Sequence, residues 1–169
     1  LHFLQLSYKI AKQQHFKLGI KLVRGAYMEK ERERAEELGY GSPIQPTKEA
    51  TDADFNSAVK FCFDHLEDIS VIIASHNEKS NLLAAEIMHE KNLPHNHPHV
   101  HFSQLYGMSD NITFNLAKEG FKVSKYLPFG PIKDVIPYLM RRAQENSSVA
   151  GQTGRELKKK KKELDRRKA

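Results

Sequence analysis

The chain of 169 residues is 39% hydrophobic and 28% charged, the composition of a globular domain long enough to enclose a core rather than of a disordered tract. No apolar run approaches the ~18–20 residues of a transmembrane helix, and the single cysteine, Cys62, excludes an internal disulfide. The net charge of +6 resides in the tail: Arg155 to Ala169 hold nine basic and three acidic side chains, leaving eighteen of each sign before them, so no folded basic face for nucleic acid is expected.

The chain opens on Leu1 inside an expected helix over 2–16, with no initiator Met and no basic-then-apolar start of a signal peptide, so further chain is expected upstream. Short β-branched runs then alternate with helical stretches. The expected order is strand 18–24 (LGIKLVR), helix 28–39, helix 51–67, strand 70–75 (SVIIAS), helix 78–92 and strand 100–105 (VHFSQL). Helix 109–119, strand 121–126 (FKVSKY), helix 131–146 and a charged helix 153–167 complete it. Thr51 or Asp52 can cap one helix and Ser109 or Asp110 another. Pro131 suits a first helical position, while Pro137 is expected to kink or break the same helix.

Cys62 falls in an apolar helical stretch and reads as a small buried hydrophobe in a reducing compartment. His95, His97, His99 and His101 alternate, which places them on one side of an extended segment. No second shell for a metal is evident there, so the stretch is taken as a solvated loop and no metal site is expected.

Four strands alternating with helices specify a parallel α/β sheet, and each strand is apolar enough for both of its faces to be covered. The Gly-rich phosphate loop of an open doubly wound sheet is missing. Polar residues gather instead at four strand ends: Arg24-Gly25, Ser75-His76-Asn77, Gln104 with Tyr106-Gly107, and Lys125-Tyr126. That is where barrels assemble their sites. Four strands cannot close a barrel, so residues 1–152 are expected to form the C-terminal half of a distorted (β/α)8, TIM-type barrel. Residues 153–169 follow as a basic helix or tail, either a solvated end or a weak peripheral contact for anionic membrane lipid.

These strand ends resemble the proline dehydrogenase family. The matching segments are KLVRGAY (Lys21–Tyr27), ASHN (Ala74–Asn77), QLYGM (Gln104–Met108), KYLPFGP (Lys125–Pro131) and YLMRRAQENSS (Tyr138–Ser148), the last followed by GQTGRE. They stand in the family's order and spacing from about Leu18 to Glu156, and are closer to its monofunctional, mitochondrial-type branch than to the large bifunctional bacterial enzymes. The resemblance implies an oxidoreductase that takes a hydride from C5 of L-proline to FAD. It would yield 1-pyrroline-5-carboxylate, the first step of proline catabolism, and pass the electrons to a quinone.

The resemblance also assigns residues. Arg141 and Arg142 would clamp the proline carboxylate, for which guanidinium forks are suited, with Glu145 one turn on to orient them. Tyr138 shares their face. Tyr126 would wall off the proline ring where the hydroxyproline-oxidising branch carries serine, and Leu105 would add an apolar contact. Lys21, the catalytic assignment, would set a positive charge by the isoalloxazine. Val23, Arg24, Gly25, Ser75, His76 and Asn77 match flavin contacts, and Lys48 aligns with a loop reaching the dinucleotide end of FAD, although Pro46 and Thr47 depart from the family's pattern.

The family's lysine and aspartate near the substrate amine, and its flavin-contacting glutamine, have no counterpart in this chain, so the chain alone is expected to be inactive. Three alternatives stay open: a hydroxyproline dehydrogenase of the same family, a barrel that uses the arginine pair for phosphate, and a non-enzymatic module docking through the basic tail on membrane or an acidic partner. The setting is expected to be the bacterial cytoplasm with peripheral membrane contact, with the mitochondrion as the alternative. Nothing in the sequence speaks to oligomeric state.

Overall fold

The computed structural model describes residues 1–25, 27–148, 158 and 161–167, apart from the side chains of 142–148. The elements are α1 (His2–Gln13), β1 (Leu18–Leu22), α2 (Met28–Leu38), α3 (Lys48–Phe63) and β2 (Ile69–Ala74), then α4 (Glu78–Glu90), β3 (Val100–Leu105), α5 (Asp110–Lys118), β4 (Val123–Tyr126) and α6 (Ile132–Ser148). They fall into two compact units, Leu1–Tyr126 and Leu127–Ala169.

In the first unit the strands lie side by side in chain order, β1-β2-β3-β4, and every pair is parallel. Each parallel connection is right-handed for reasons of strand twist. Steps that always advance in one direction therefore stack their helices on one face of the sheet. This is the winding of half a (β/α)8 barrel, not of a doubly wound sheet, where the order reverses.

Register makes the two faces explicit. Leu22, Ile73, Phe102 and Val123 form one row across the sheet. Ile73 and Phe102 belong to the apolar core, with Phe55, Val59, Cys62 and Phe63 of α3 and Ala84, Ile87 and Met88 of α4, and the partly buried Leu22 and Val123 pack against it. Burying each of the large side chains contributes ~1.5–3 kcal/mol. The intervening positions Lys21, Ile72 and His101 form a row on the other face, and burial alternates along β1 and β2. The expectation that both faces of every strand are covered is thus corrected. The helices shield one face, and the opposite face is richer in small and polar side chains.

The helix α1 is fixed to this core by Leu4 and Tyr8. Tyr8 stacks on His65 at 4.4 Å, and Lys12 and Lys17 both grip Asp68 at 2.7 Å. Those two ammonium groups hold the Asp68 carboxyl down at about 2. Cys62 is fully buried, and burial pushes its thiol up to about 12, so it is an inert core residue at neutral pH.

Element ends differ from expectation for local reasons. The helix α1 stops at Gln13, short of His15, whose φ of 58° turns the chain away. The helix α3 starts at Lys48 because Thr47, not Thr51 or Asp52, caps it, accepting the Ala50 amide at 3.1 Å. The strand β1 leaves the ladder after Leu22, two residues early, and β4 joins at Val123, two residues late. In the second unit, the carbonyl of Pro131 accepts the Asp134 and Val135 amides, so Pro131 stands just ahead of α6. The helix α6 continues through Pro137 rather than breaking there.

Of the histidines 95–101, His97 and His99 touch each other, their rings 5.7 Å apart and the His99 amide donating to His97 Nδ1 at 3.3 Å. His95 stacks on Phe121 at 4.1 Å, His99 bonds Ser70 at 2.7 Å and His101 bonds Ser124 at 3.0 Å. Of the expected charged helix 153–167, residues 161–167 are helical, with Glu163 paired to Arg166 and Arg167, and most of the remainder lies outside the described residues.

Candidate active site

The C-terminal ends of the four strands meet on the face opposite the helices. Three strand spacings of ~4.8 Å separate β1 from β4, yet the Lys21 ammonium lies 4.6 Å from the centre of the Tyr126 ring. Contact over that span requires both side chains to lean over the same concave face of a curled sheet. Leu105 is the register partner of Tyr126 on the neighbouring strand, and two-residue alternation puts it on this face too. Lys21, Leu105 and Tyr126, chosen from three separate segments of sequence, are therefore brought together. Tyr126 is half exposed and Leu105 is buried, giving a floor of one aliphatic and one aromatic side chain beneath a cation.

The turn after β1 divides its duties. Arg24 lies two residues beyond Leu22, on the helix-covered side, and is mostly buried. Its guanidinium bonds Asp52, Ser75 Oγ at 2.8 Å and Ser80 Oγ at 3.1 Å, and sits 4.4 Å over the Phe55 ring. Burial lowers its pKa, with the Asp52 carboxylate opposing the shift. The Arg24 side chain is thus a pin between sheet and helices, so a cofactor would meet this turn through backbone. Val23 is 55% exposed, and Gly25 has φ +82° with no atom within 4 Å of where a Cβ would stand. Only glycine adopts that conformation without strain, and it leaves the backbone open to close approach.

The turn after β2 is likewise held from below. Ser75 is buried and its Oγ also accepts the Asn77 amide at 3.1 Å. Asn77 caps α4 by accepting the Ser80 amide at 3.1 Å. His76 Nδ1 bonds Ser109 Oγ at 2.9 Å, linking this turn to the one after β3. Ser109 and Tyr27 both carry positive φ, 52° and 60°, and each sits in a turn that follows a strand. Non-glycine residues in this region store strain, which clusters at functional turns. Lys125 completes the rim, donating to the Met108 carbonyl and pairing with Asp110 at 2.9 Å. Lys48 is not in a loop: it opens α3, is largely exposed and pairs with Asp52 at 2.6 Å.

Beneath these turns runs a polar network in which Ser75, Asn77 and Gln104, singled out in the sequence, are joined by Asn56, Ser80, Asn81 and Thr113, which were not. Ser80 donates to Asn56 Oδ1 at 2.8 Å, and Asn81 donates to the carbonyls of Ser75 at 3.0 Å and Asn77 at 2.8 Å. Gln104, 1% exposed, donates to the Ser75 carbonyl and accepts the Thr113 hydroxyl at 2.8 Å. A readable signal existed. Asp52 and Asn56 begin the helix stripe that continues as Val59 and Phe63, and Asn77 and Asn81 begin the one that continues as Ala84 and Met88. Polar residues at the head of an otherwise apolar helix stripe mark where the helix abuts the strand ends.

In the second unit Tyr138 and Arg141 lie three residues apart on α6, hence on one face. Arg142 and Glu145 belong to the same helix, and their side chains lie outside the described residues.

Comparison with known proteins bears on the whole of this arrangement. The family model described as Proline dehydrogenase matches residues 1–155. The chain is 41% identical over 172 residues to proline dehydrogenase 1, mitochondrial, of Caenorhabditis elegans, covering 99% of this chain and 28% of that protein. It is 44% identical over 154 residues to proline dehydrogenase 1, mitochondrial, of Homo sapiens, covering 89% of this chain and 26% of that protein. Among solved structures, proline utilization A from Bdellovibrio bacteriovorus, inactivated by N-propargylglycine, superposes with a TM-score of 0.80 at 26% identity, over 88% of this chain and 15% of that one. The chain therefore spans little more than a quarter of the length of these curated relatives.

Proposed function

Because the chain belongs to the proline dehydrogenase family, we propose that the protein carrying it oxidises L-proline to 1-pyrroline-5-carboxylate with FAD and delivers the electrons to a quinone. The observation that carries this reading is the Lys21 ammonium 4.6 Å over the Tyr126 ring, with Leu105 beside Tyr126 in register. A cation, an aromatic wall and an aliphatic wall on one concave face suit a planar, electron-accepting ring stacked against a small cyclic amino acid.

The residues present fit FAD in access and charge. The exposed Val23 and the open backbone at Gly25 admit a flat ring system, and Lys48 offers a cation at the start of α3 for the anionic dinucleotide end. When bound, FAD supplies the two-electron acceptor for the hydride from C5 of proline. Lys21 would favour negative charge at the acceptor as a cation already in place on that face. Tyr126 and Leu105 confine the ring of the substrate. Arg141 and Arg142, with Glu145 orienting them and Tyr138 flanking them, are the residues proposed to engage the carboxylate. His76, Ser75 and Asn77 hold the second turn at the mouth.

Tyr126 in place of serine supports proline over 4-hydroxyproline as substrate. The relatives named above are mitochondrial by name, which favours a mitochondrial setting over the bacterial cytoplasm. Among the described residues no helix is long and apolar enough to cross a membrane. The test is steady-state turnover of the natural full-length protein with a soluble artificial electron acceptor, trapping 1-pyrroline-5-carboxylate as its coloured adduct. Product from L-proline with little from 4-hydroxyproline is expected. Turnover of neither would remove the proposal.

A further inference from the structure

We infer that Asp52 is a positioning residue for the cofactor turn, acting through Arg24, an inference that rests on the flavin reading above. Arg24 leaves the chain on the helix side of the sheet, while Lys21 and Val23 face the concave side. Its guanidinium reaches three partners on three different elements or turns: Asp52 of α3, Ser75 at the end of β2 and Ser80 of α4. Asp52 is the one anion among them. Its side chain is 27% exposed and that of Arg24 15%, so the pair is shielded enough for the carboxylate to matter and wet enough to form.

Removing the negative charge would leave a mostly buried guanidinium against two hydroxyls and the Phe55 ring. The relief open to it is to swing towards water, which releases the three-way pin on the turn that carries Val23 and Gly25. Those two residues are the ones the cofactor would meet. The second oxygen of Asp52 holds Lys48 at 2.6 Å. One carboxylate therefore sets both the backbone turn and the Lys48 cation that the proposed function assigns to the same dinucleotide. Asp52 is a positioning residue rather than a catalytic one, because it reaches the cofactor only through these side chains.

The test compares the natural full-length protein as wild type, Asp52→Asn, Ser80→Ala and Val59→Ala. Each apoprotein is titrated with FAD by flavin fluorescence, its melting temperature is measured, and the visible spectrum of the loaded form is recorded. Asp52→Asn should weaken FAD binding by at least roughly tenfold and blur the resolved shoulder of the flavin band. Ser80→Ala, which removes one of three partners, should weaken it by roughly threefold. Val59 is fully buried two turns further along α3. Val59→Ala should lower the melting temperature at least as much, yet keep the wild-type affinity and spectrum.

Unchanged affinity and spectrum in Asp52→Asn would overturn the inference, as would an equal loss in Val59→Ala at matched melting temperature. If Asp52→Asn does not fold, wild-type affinity in Ser80→Ala overturns it. A wild-type protein that takes up no FAD overturns the functional reading as well, whereas a flavin-loaded wild type beside an unaffected Asp52→Asn overturns this inference alone.

Discussion

Gln104 is the residue on which the polar layer beneath the strand ends can be measured. Its amide donates to the Ser75 carbonyl at 3.3 Å and to Asn81 Oδ1 at 3.4 Å, and accepts the Thr113 hydroxyl at 2.8 Å. Gln104→Met keeps the reach of the side chain and removes the amide. Thr113 would still bond the Ser109 carbonyl at 3.3 Å, and the Ser75 carbonyl would still accept from Asn81 at 3.0 Å. Only Asn81 Oδ1 loses its partner. An orphaned buried acceptor costs ~1–3 kcal/mol, and the bond it loses is long, so a loss of about 1–2 kcal/mol is expected. Gln104→Ala adds a cavity to the same polar loss and is expected to cost ~3–5 kcal/mol. Urea unfolding of the full-length protein measures both. With an m-value of ~1–3 kcal/mol/M, Gln104→Met should lower the midpoint by about 0.3–2 M, with Gln104→Ala lowering it further. If Gln104→Met costs as much as Gln104→Ala, packing contributes nothing and the partner-by-partner reasoning fails.

Three further expectations follow from particular contacts. Tyr126→Ser should raise kcat/KM for 4-hydroxyproline relative to L-proline, and an unmoved ratio would dismiss Tyr126 as the selector. Arg142→Met should raise the KM for proline by about 10–100-fold with kcat changed less, as expected for a lost charge-assisted clamp; unchanged kinetics would sink the carboxylate assignment. Asp68 has a folded-state pKa depressed from 3.8 to about 2. The stability it contributes is therefore fully present above 3.8 and is lost as pH falls towards 2. Asp68→Asn should lower the melting temperature at pH 6, with the gap to wild type closing by pH 2; a gap that persists at pH 2 would mean the ion pairs are not its source.

Much of the fold was legible in the sequence because burial of one face fixes strand identity. The limits of β3 were read correctly, and β1, β2 and β4 were found within one or two residues at each end. The polar strand ends pointed correctly to one end of a sequential parallel sheet. What escaped was the use of individual side chains. Asp52 was read as a cap because acidic residues suit helix starts, but its carboxylate is engaged by Arg24 and Lys48, leaving Thr47 to cap α3. Arg24 was read as part of a flavin-contacting turn, and the bonding of its guanidinium to Asp52, Ser75 and Ser80 on the helix side was not foreseen. Such choices depend on which distant partner arrives, here across 28 and 51 residues, and no local pattern encodes that. The pairing of Lys21 with Tyr126 has the same character: each residue was readable, but their proximity depends on how far the sheet curls.

The proposed function has this chain supply the cofactor face and carboxylate clamp of a proline-oxidising flavoenzyme. The most direct measurement is the visible spectrum of the full-length protein under anaerobic conditions before and after adding L-proline. The account predicts flavin absorption bands that bleach with L-proline and scarcely change with 4-hydroxyproline. A flavin that stays oxidised in proline, or a protein that takes up no FAD at all, would contradict it.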